Sequence, residues 1–161
     1  MKLTIVKGVG DVSGTDPPGE EWNVGLLLFV PYRALERRVF EALVAAGFAD
    51  FTMAQARLAA RVAPQGSRLT ELADQARITK QTAGVLVDQM ERHGYVHRVP
   101  DPTDGRARLV RLAARGQAAA EVAAATVAQV ETEWTAHLGA ARMRALRPAL
   151  EQLRGITDVA R

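Results

Sequence analysis

The stretch YVHRVPDPTDGRARLVRL, Tyr95 to Leu112, decides how this chain is to be read. Tyr95–Val99 and Ala107–Leu112 carry β-branched and apolar residues in partial alternation, the pattern of half-buried strands. Between them stand two prolines and the pair Asp104-Gly105. Both residues of that pair tolerate positive φ, so the spacing predicts a tight hairpin reversal there. Arg98, Arg106, Arg108 and Arg111 crowd onto this hairpin. Four guanidinium groups so close repel one another unless something anionic meets them, and a phosphate backbone would do so.

The residues immediately upstream extend the pattern. Thr79–Gly94 predicts one helix with both ends marked: Thr79 can cap the first turn, Arg92 and His93 suit the negative end of the dipole, and Gly94 can close it in a left-handed conformation. Ala83, Leu86, Val87 and Met90 recur at helical spacing and predict the buried stripe. Gln81, Thr82, Val85, Asp88 and Gln89 remain for the outer face. A capped helix running straight into a basic hairpin predicts a winged helix-turn-helix.

Over roughly Leu69–Gly116 the sequence resembles the MarR family of bacterial transcriptional regulators. The resemblance rests on Leu72-Ala73, the helix Thr79–Gly94, Tyr95–Arg98, Asp101–Arg106, Val110–Leu112 and Gly116. The aspartate–glycine–arginine hairpin is its most specific part. Two departures stand out. The turn before the second helix, usually a glycine in this family, holds Arg77, so either the turn is built differently or Arg77 accepts a strained backbone. Val85 stands where the family commonly has a groove-facing arginine, and Gly84 beside it costs about 1 kcal/mol of helix stability relative to alanine.

Composition bounds the remaining possibilities. At 161 residues the chain is expected to form one domain with dimerising extensions. Aromatics are 5% against 48% hydrophobic residues overall, so the core must be built mostly from Ala, Val and Leu. Cysteine is absent, which excludes disulfides, thiolate metal sites and cysteine redox sensing. No run approaches the ~20 apolar residues of a membrane span, and no secretion signal is visible, so the expected location is cytoplasmic. The net charge of +3 is unevenly placed: Arg77–Arg115 holds 8 basic and 4 acidic residues, leaving the rest of the chain at −1. Charge focused in this way points to a polyanionic partner.

In chain order, residues 1–21 hold four glycines and two prolines and are expected to form a flexible N-terminal arm. Residues 22–161 are then a single MarR-like domain. Residues 51–112 form its winged helix-turn-helix head, and 22–46 and 113–154 its dimerisation helices. The fold class is mostly α with a small β-hairpin wing. Trp22–Ala46 predicts a helix stopped by Gly47, with Pro31 kinking it or marking its true start. Leu26–Val30 is apolar all round, for which a partner subunit is the simplest cover. Phe51–Val62 predicts a second helix, and Arg68–Ala76 a third, capped by Ser67. Ala113–His137 is alanine-rich, and Ala140–Arg154 spaces Met143, Leu146, Leu150 and Leu153 as an a/d seam. Both ends of the chain are thus over-apolar around a small head, which favours a homodimer.

No catalytic or metal-binding constellation is legible. His93 and His97 are four apart, but Gly94 intervenes and no carboxylate follows at ligand spacing. Ser13 and Ser67 lie outside any nucleophile elbow. An enzyme is not expected, and no cofactor or metal is called for. The expected function is sequence-specific binding of a palindromic duplex operator by a dimer, as a repressor. Lys80 would lie on phosphate, Gln81 and Thr82 at the groove floor, and Val85 against a thymine methyl. Arg106, oriented by Asp104, would enter the minor groove at the wing tip. Ser67, Arg68, Thr79, Arg98 and Arg108 complete the candidate surface. The resemblance implies release by a small aromatic or lipophilic ligand, with Tyr32, Phe51 and Met53 as candidate pocket residues that ordinary core packing would equally explain. The competing class is a winged helix that meets an acidic protein partner instead of DNA.

Overall fold

A computed structural model describes residues 22–157; the proposed arm over 1–21 lies outside the described residues. The elements are α1 (Val24–Ala45), α2 (Met53–Ala59), β1 (Ser67–Arg68), α3 (Leu69–Ala76), α4 (Lys80–Arg92), β2 (Val96–Asp101), β3 (Asp104–Leu112), α5 (Ala114–Leu138) and α6 (Ala140–Thr157). Six helices thus accompany a small antiparallel sheet of order β1-β3-β2. The expected fold class, helical with a hairpin wing, is what is observed.

Local chemistry sets the element ends. Asn23 caps α1, its side chain accepting from the Leu26 amide. The helix runs through Pro31, which therefore does not mark its start. Thr52 and Gln55 form a reciprocal capping box on α2, which is only seven residues long and stops short of the expected Val62. Thr79 caps α4 through the Thr82 amide. At the other end Gly94 adopts φ +75°, so the Tyr95 amide can close back on the Met90 carbonyl.

Two sequence expectations are corrected here. Ser67 does not cap α3; Arg68 occupies the cap position. Ser67 belongs to β1, paired with Val110, and its buried hydroxyl accepts from the Ala63 amide. A two-residue strand leaves no periodicity to read, and only its partner β3 defines it. The hairpin also reverses at Pro102-Thr103, not at Asp104-Gly105, since Asp101 pairs with Asp104. Asp101 builds that turn itself: its Oδ1 accepts from the Thr103 amide (2.8 Å) and hydroxyl (2.7 Å). Proline at the first central position fixes the φ a tight turn needs, and the carboxylate bridge closes it without a left-handed residue. Gly105 accordingly lies outside the left-handed region.

The core sits in the head. Leu58, Leu72, Ala83, Val87, Met90 and Val110 are sealed from solvent, joined by Phe51 and Tyr95. α5 contributes Ala119 to this cluster and begins against the Tyr95 backbone. Gly116 makes that approach possible, because a Cβ there would stand 2.0 Å from the Tyr95 carbonyl oxygen. The outer helices differ. α1 buries only Leu43, and α6 buries nothing.

Candidate nucleic-acid interface

α3 and α4 meet at Arg77, whose backbone is left-handed at φ 55°, ψ 41°. The turn thus keeps the geometry a glycine would supply and places it on an arginine, at a cost of about 1–2 kcal/mol. The Arg77 side chain is exposed and has no hydrogen-bond or ion-pair partner among the described residues. From the sequence this residue entered as an unusual turn and as one of the 8 basic residues of Arg77–Arg115, not as a candidate site residue. Its signal as a surface cation was present, a charge standing where a small residue suffices.

The exposed face of α4 divides by what its side chains already hold. Thr79 and Thr82 are bound to each other, hydroxyl to hydroxyl at 2.8 Å, around the cap. Lys80 and Gln81 are exposed and uncommitted among the described residues. Val85 is 51% exposed, an apolar residue on an otherwise polar face. Asp88 is exposed, and Gln89 is not fully on the outer face as expected: half-buried, it accepts from the Gln55 side chain at 3.0 Å.

The arginines of the hairpin separate the same way. Arg98 is held by Asp88 (2.6 Å) and by Glu91, so its charge is neutralised against α4. Arg68 reaches Asp101 at 2.6 Å and stands 3.9 Å from Asp104. The Thr103 hydrogen bonds first, and then Arg68, hold the Asp101 carboxyl down at about 2. Arg111 donates to the Gln65 carbonyl. Arg106 and Arg108 are exposed with guanidinium groups that touch no acceptor among the described residues. Asp104 accepts from the Arg106 amide at 3.1 Å, fixing the backbone and leaving the side chain free. Ser67, being buried, is withdrawn from the candidate surface.

The head therefore presents Arg77 and Lys80 at the start of a capped helix and Arg106 and Arg108 on the wing, all uncompensated among the described residues. Residues 49–107, which carry Arg77, Lys80 and Arg106 of this surface, match the family model described as the MarR family. The head is thus similar to the winged helices of that family. The described residues have the fold of that family's transcriptional regulators. MarR from E. coli, in its reduced form, is 25% identical with a TM-score of 0.67, covering 84% of this chain and 98% of its own. A Mycobacterium tuberculosis MarR family protein in complex with salicylic acid is 29% identical with a TM-score of 0.60, covering 83% and 98%. No curated protein sequence matches the chain.

Behind the head, where it meets α1 and α5, lies a cavity of about 240 Å³. Of the three candidate pocket residues, Phe51 lines this cavity and Tyr32 and Met53 do not. Tyr32 is exposed on α1 and donates to Glu36 at 3.3 Å. Tyr95, absent from the sequence-based candidates, forms the cavity's polar wall. Its ring stacks on Phe51 at 4.3 Å and lies under the Arg115 guanidinium at 4.4 Å. Its hydroxyl donates to Asp50 at 2.7 Å. Arg115 bridges both Asp50 oxygens, at 2.7 and 2.8 Å, and donates to the His93 carbonyl at the end of α4. Burial, and then the bond to Asp50, push the Tyr95 hydroxyl up to about 12, while Tyr95 and Arg115 hold the Asp50 carboxyl below its usual range. The partners are 45 and 65 residues apart, so no local pattern announces them.

Among the described residues, no helix is long and apolar enough to cross a membrane, and no group of three or more His, Asp or Glu side chains could hold a metal ion.

Proposed function

We propose that the protein is a homodimeric, sequence-specific DNA-binding regulator, acting as a repressor that a small ligand releases. The observation that carries this is the division of cations on the head: Arg68, Arg98 and Arg111 are occupied within the fold, while Arg77 and Lys80 at the start of α4 and Arg106 and Arg108 on the wing are left uncompensated among the described residues. Uncompensated charges at the start of a capped helix and on a wing suit phosphates flanking a major groove, with Gln81 and Val85 exposed for base edges. Arg106 on the wing suits the adjacent minor groove. The second subunit is supported by exposed apolar surface, with Trp22 at 42%, Phe29 at 56% and Ile156 at 80%. A two-fold dimer would meet half-sites about one helical turn apart. The cavity behind the head supports a ligand, as does the salicylic acid bound by the M. tuberculosis relative.

Selecting bound fragments from random duplex DNA, then titrating salt against the selected sequence, tests the proposal. A palindromic consensus with a steep salt slope is the expected result. Binding that is weak, salt-insensitive and without consensus would favour a protein-interaction module instead.

A further inference from the structure

From the wall of the cavity we infer that its ligand is an uncharged lipophilic molecule of about one substituted ring, and that aromatic carboxylates such as salicylate are excluded. The inference rests on the ligand-release reading above and narrows it to a chemical class. The lining is Val39, Leu43, Phe51, Leu112 and a series of small residues from α2 and α5, with Tyr95 supplying the one side-chain polar atom. That atom is already committed, because the Tyr95 hydroxyl donates its proton to Asp50. The cation against the Tyr95 ring is committed too. Arg115 lies over the Tyr95 ring with its nitrogens on both Asp50 oxygens and the His93 carbonyl. A carboxylate entering this space would lose its water and meet neither a free donor nor a free positive charge, so its desolvation goes uncompensated. Drawing Arg115 inward would strip Asp50 of its counter-charge and merely move the problem. A neutral ring loses nothing comparable and gains contact with Phe51, Leu43 and the alanine faces. The size limit follows from volume, since an apolar cavity of ~150 Å³ already admits benzene and this one holds about 240 Å³.

A charge-matched pair of probes tests this: salicylate, fully ionised at neutral pH, and its methyl ester, each titrated calorimetrically into the purified full-length protein with a thermal melt alongside. The ester is expected to bind at least about tenfold more tightly and to raise the melting temperature, while salicylate does neither. Ala120→Leu, which fills the cavity from an exposed position on α5, is expected to remove ester binding; Ala123→Leu serves the same purpose should the first variant fold poorly. Salicylate binding as tightly as the ester, and lost in the filled variant, would overturn the uncharged class while leaving a ligand in the cavity. Binding of neither probe, or ester binding unaffected by both filled variants, would overturn the cavity as a ligand site and this inference with it.

Discussion

The head and the outer helices obey different rules of completion. In the head, Leu72, Ala83, Val87 and Met90 are sealed, and buried polar groups such as Ser67, Gln55 and Asp101 all find partners within the chain. In α6 no residue is buried, and the first two turns of α1 leave Leu27, Leu28 and Phe29 open. The contrast teaches that the head closes its core within one chain, whereas the outer helices leave apolar faces that the proposed second subunit would cover. Apolar surface of that extent is stabilising once covered and a liability when it is not.

The largest effect separating the two regions should come from Leu72→Ala. Deleting a fully buried leucine is expected to cost the head about 2–5 kcal/mol, read by chemical denaturation, with the subunits still associated below the transition. Phe29→Asp should do the reverse. Sedimentation at micromolar concentration is expected to show a monomer, with circular dichroism of the head nearly intact and operator affinity reduced more than tenfold, since each monomer presents one recognition helix. A dimer that persists would mean α1 meets no partner.

Within the head, Arg106→Ala should leave the melting temperature unchanged, because its guanidinium holds nothing in the fold. Operator binding should weaken, and its salt dependence should flatten by about one unit of slope. Arg106→Lys should recover only part of the loss. Arg68→Ala is the matched control on the occupied side and should lower the melting temperature through Asp101.

A smaller effect is expected with pH. Asp101 titrates at about 2 in the fold, below its ordinary 3.8. A group whose folded pKa is depressed stabilises above the unfolded value and loses that contribution as pH falls toward the folded one. The gap in melting temperature between the parent protein and Asp101→Asn should therefore be full above pH 5 and shrink between about pH 4 and 2. A gap independent of pH would show that the carboxylate charge contributes nothing to the wing turn. The smallest change is Arg77→Gly. Relief of the left-handed backbone, offset by glycine's greater unfolded freedom, should raise stability by about 0.5–1 kcal/mol, while removing one uncompensated cation from the proposed DNA-binding surface.

How far the sequence could be read depended on the reach of the interactions. Thr79, Gly94 and the stripe Ala83–Met90 were legible because caps and helical faces are set by residues three or four apart. The wing was legible as a hairpin but not in its reversal point. Asp104-Gly105 matched a general turn preference, while the real turn depends on the Asp101 carboxylate meeting both Thr103 and, 33 residues back, Arg68. The four hairpin arginines look alike in sequence. Only the fold shows that Glu91 and Asp88 occupy Arg98, and a backbone carbonyl occupies Arg111, leaving Arg106 and Arg108.

By itself, then, the sequence determined the order of the helices and the hairpin, the capped helix α4 with its buried face, the basic wing and the apolar excess of both ends. These follow from local hydrogen bonding and periodicity, which need no knowledge of where distant residues lie. The tertiary structure alone decided which cations are neutralised, that Ser67 is buried in β1, that Arg77 turns left-handed, and that Tyr95 rather than Tyr32 or Met53 walls the cavity. Each of those is fixed by a contact between segments far apart in the chain. Whether a polar group is spent or free is a property of its neighbours in space, and sequence spacing carries no record of them.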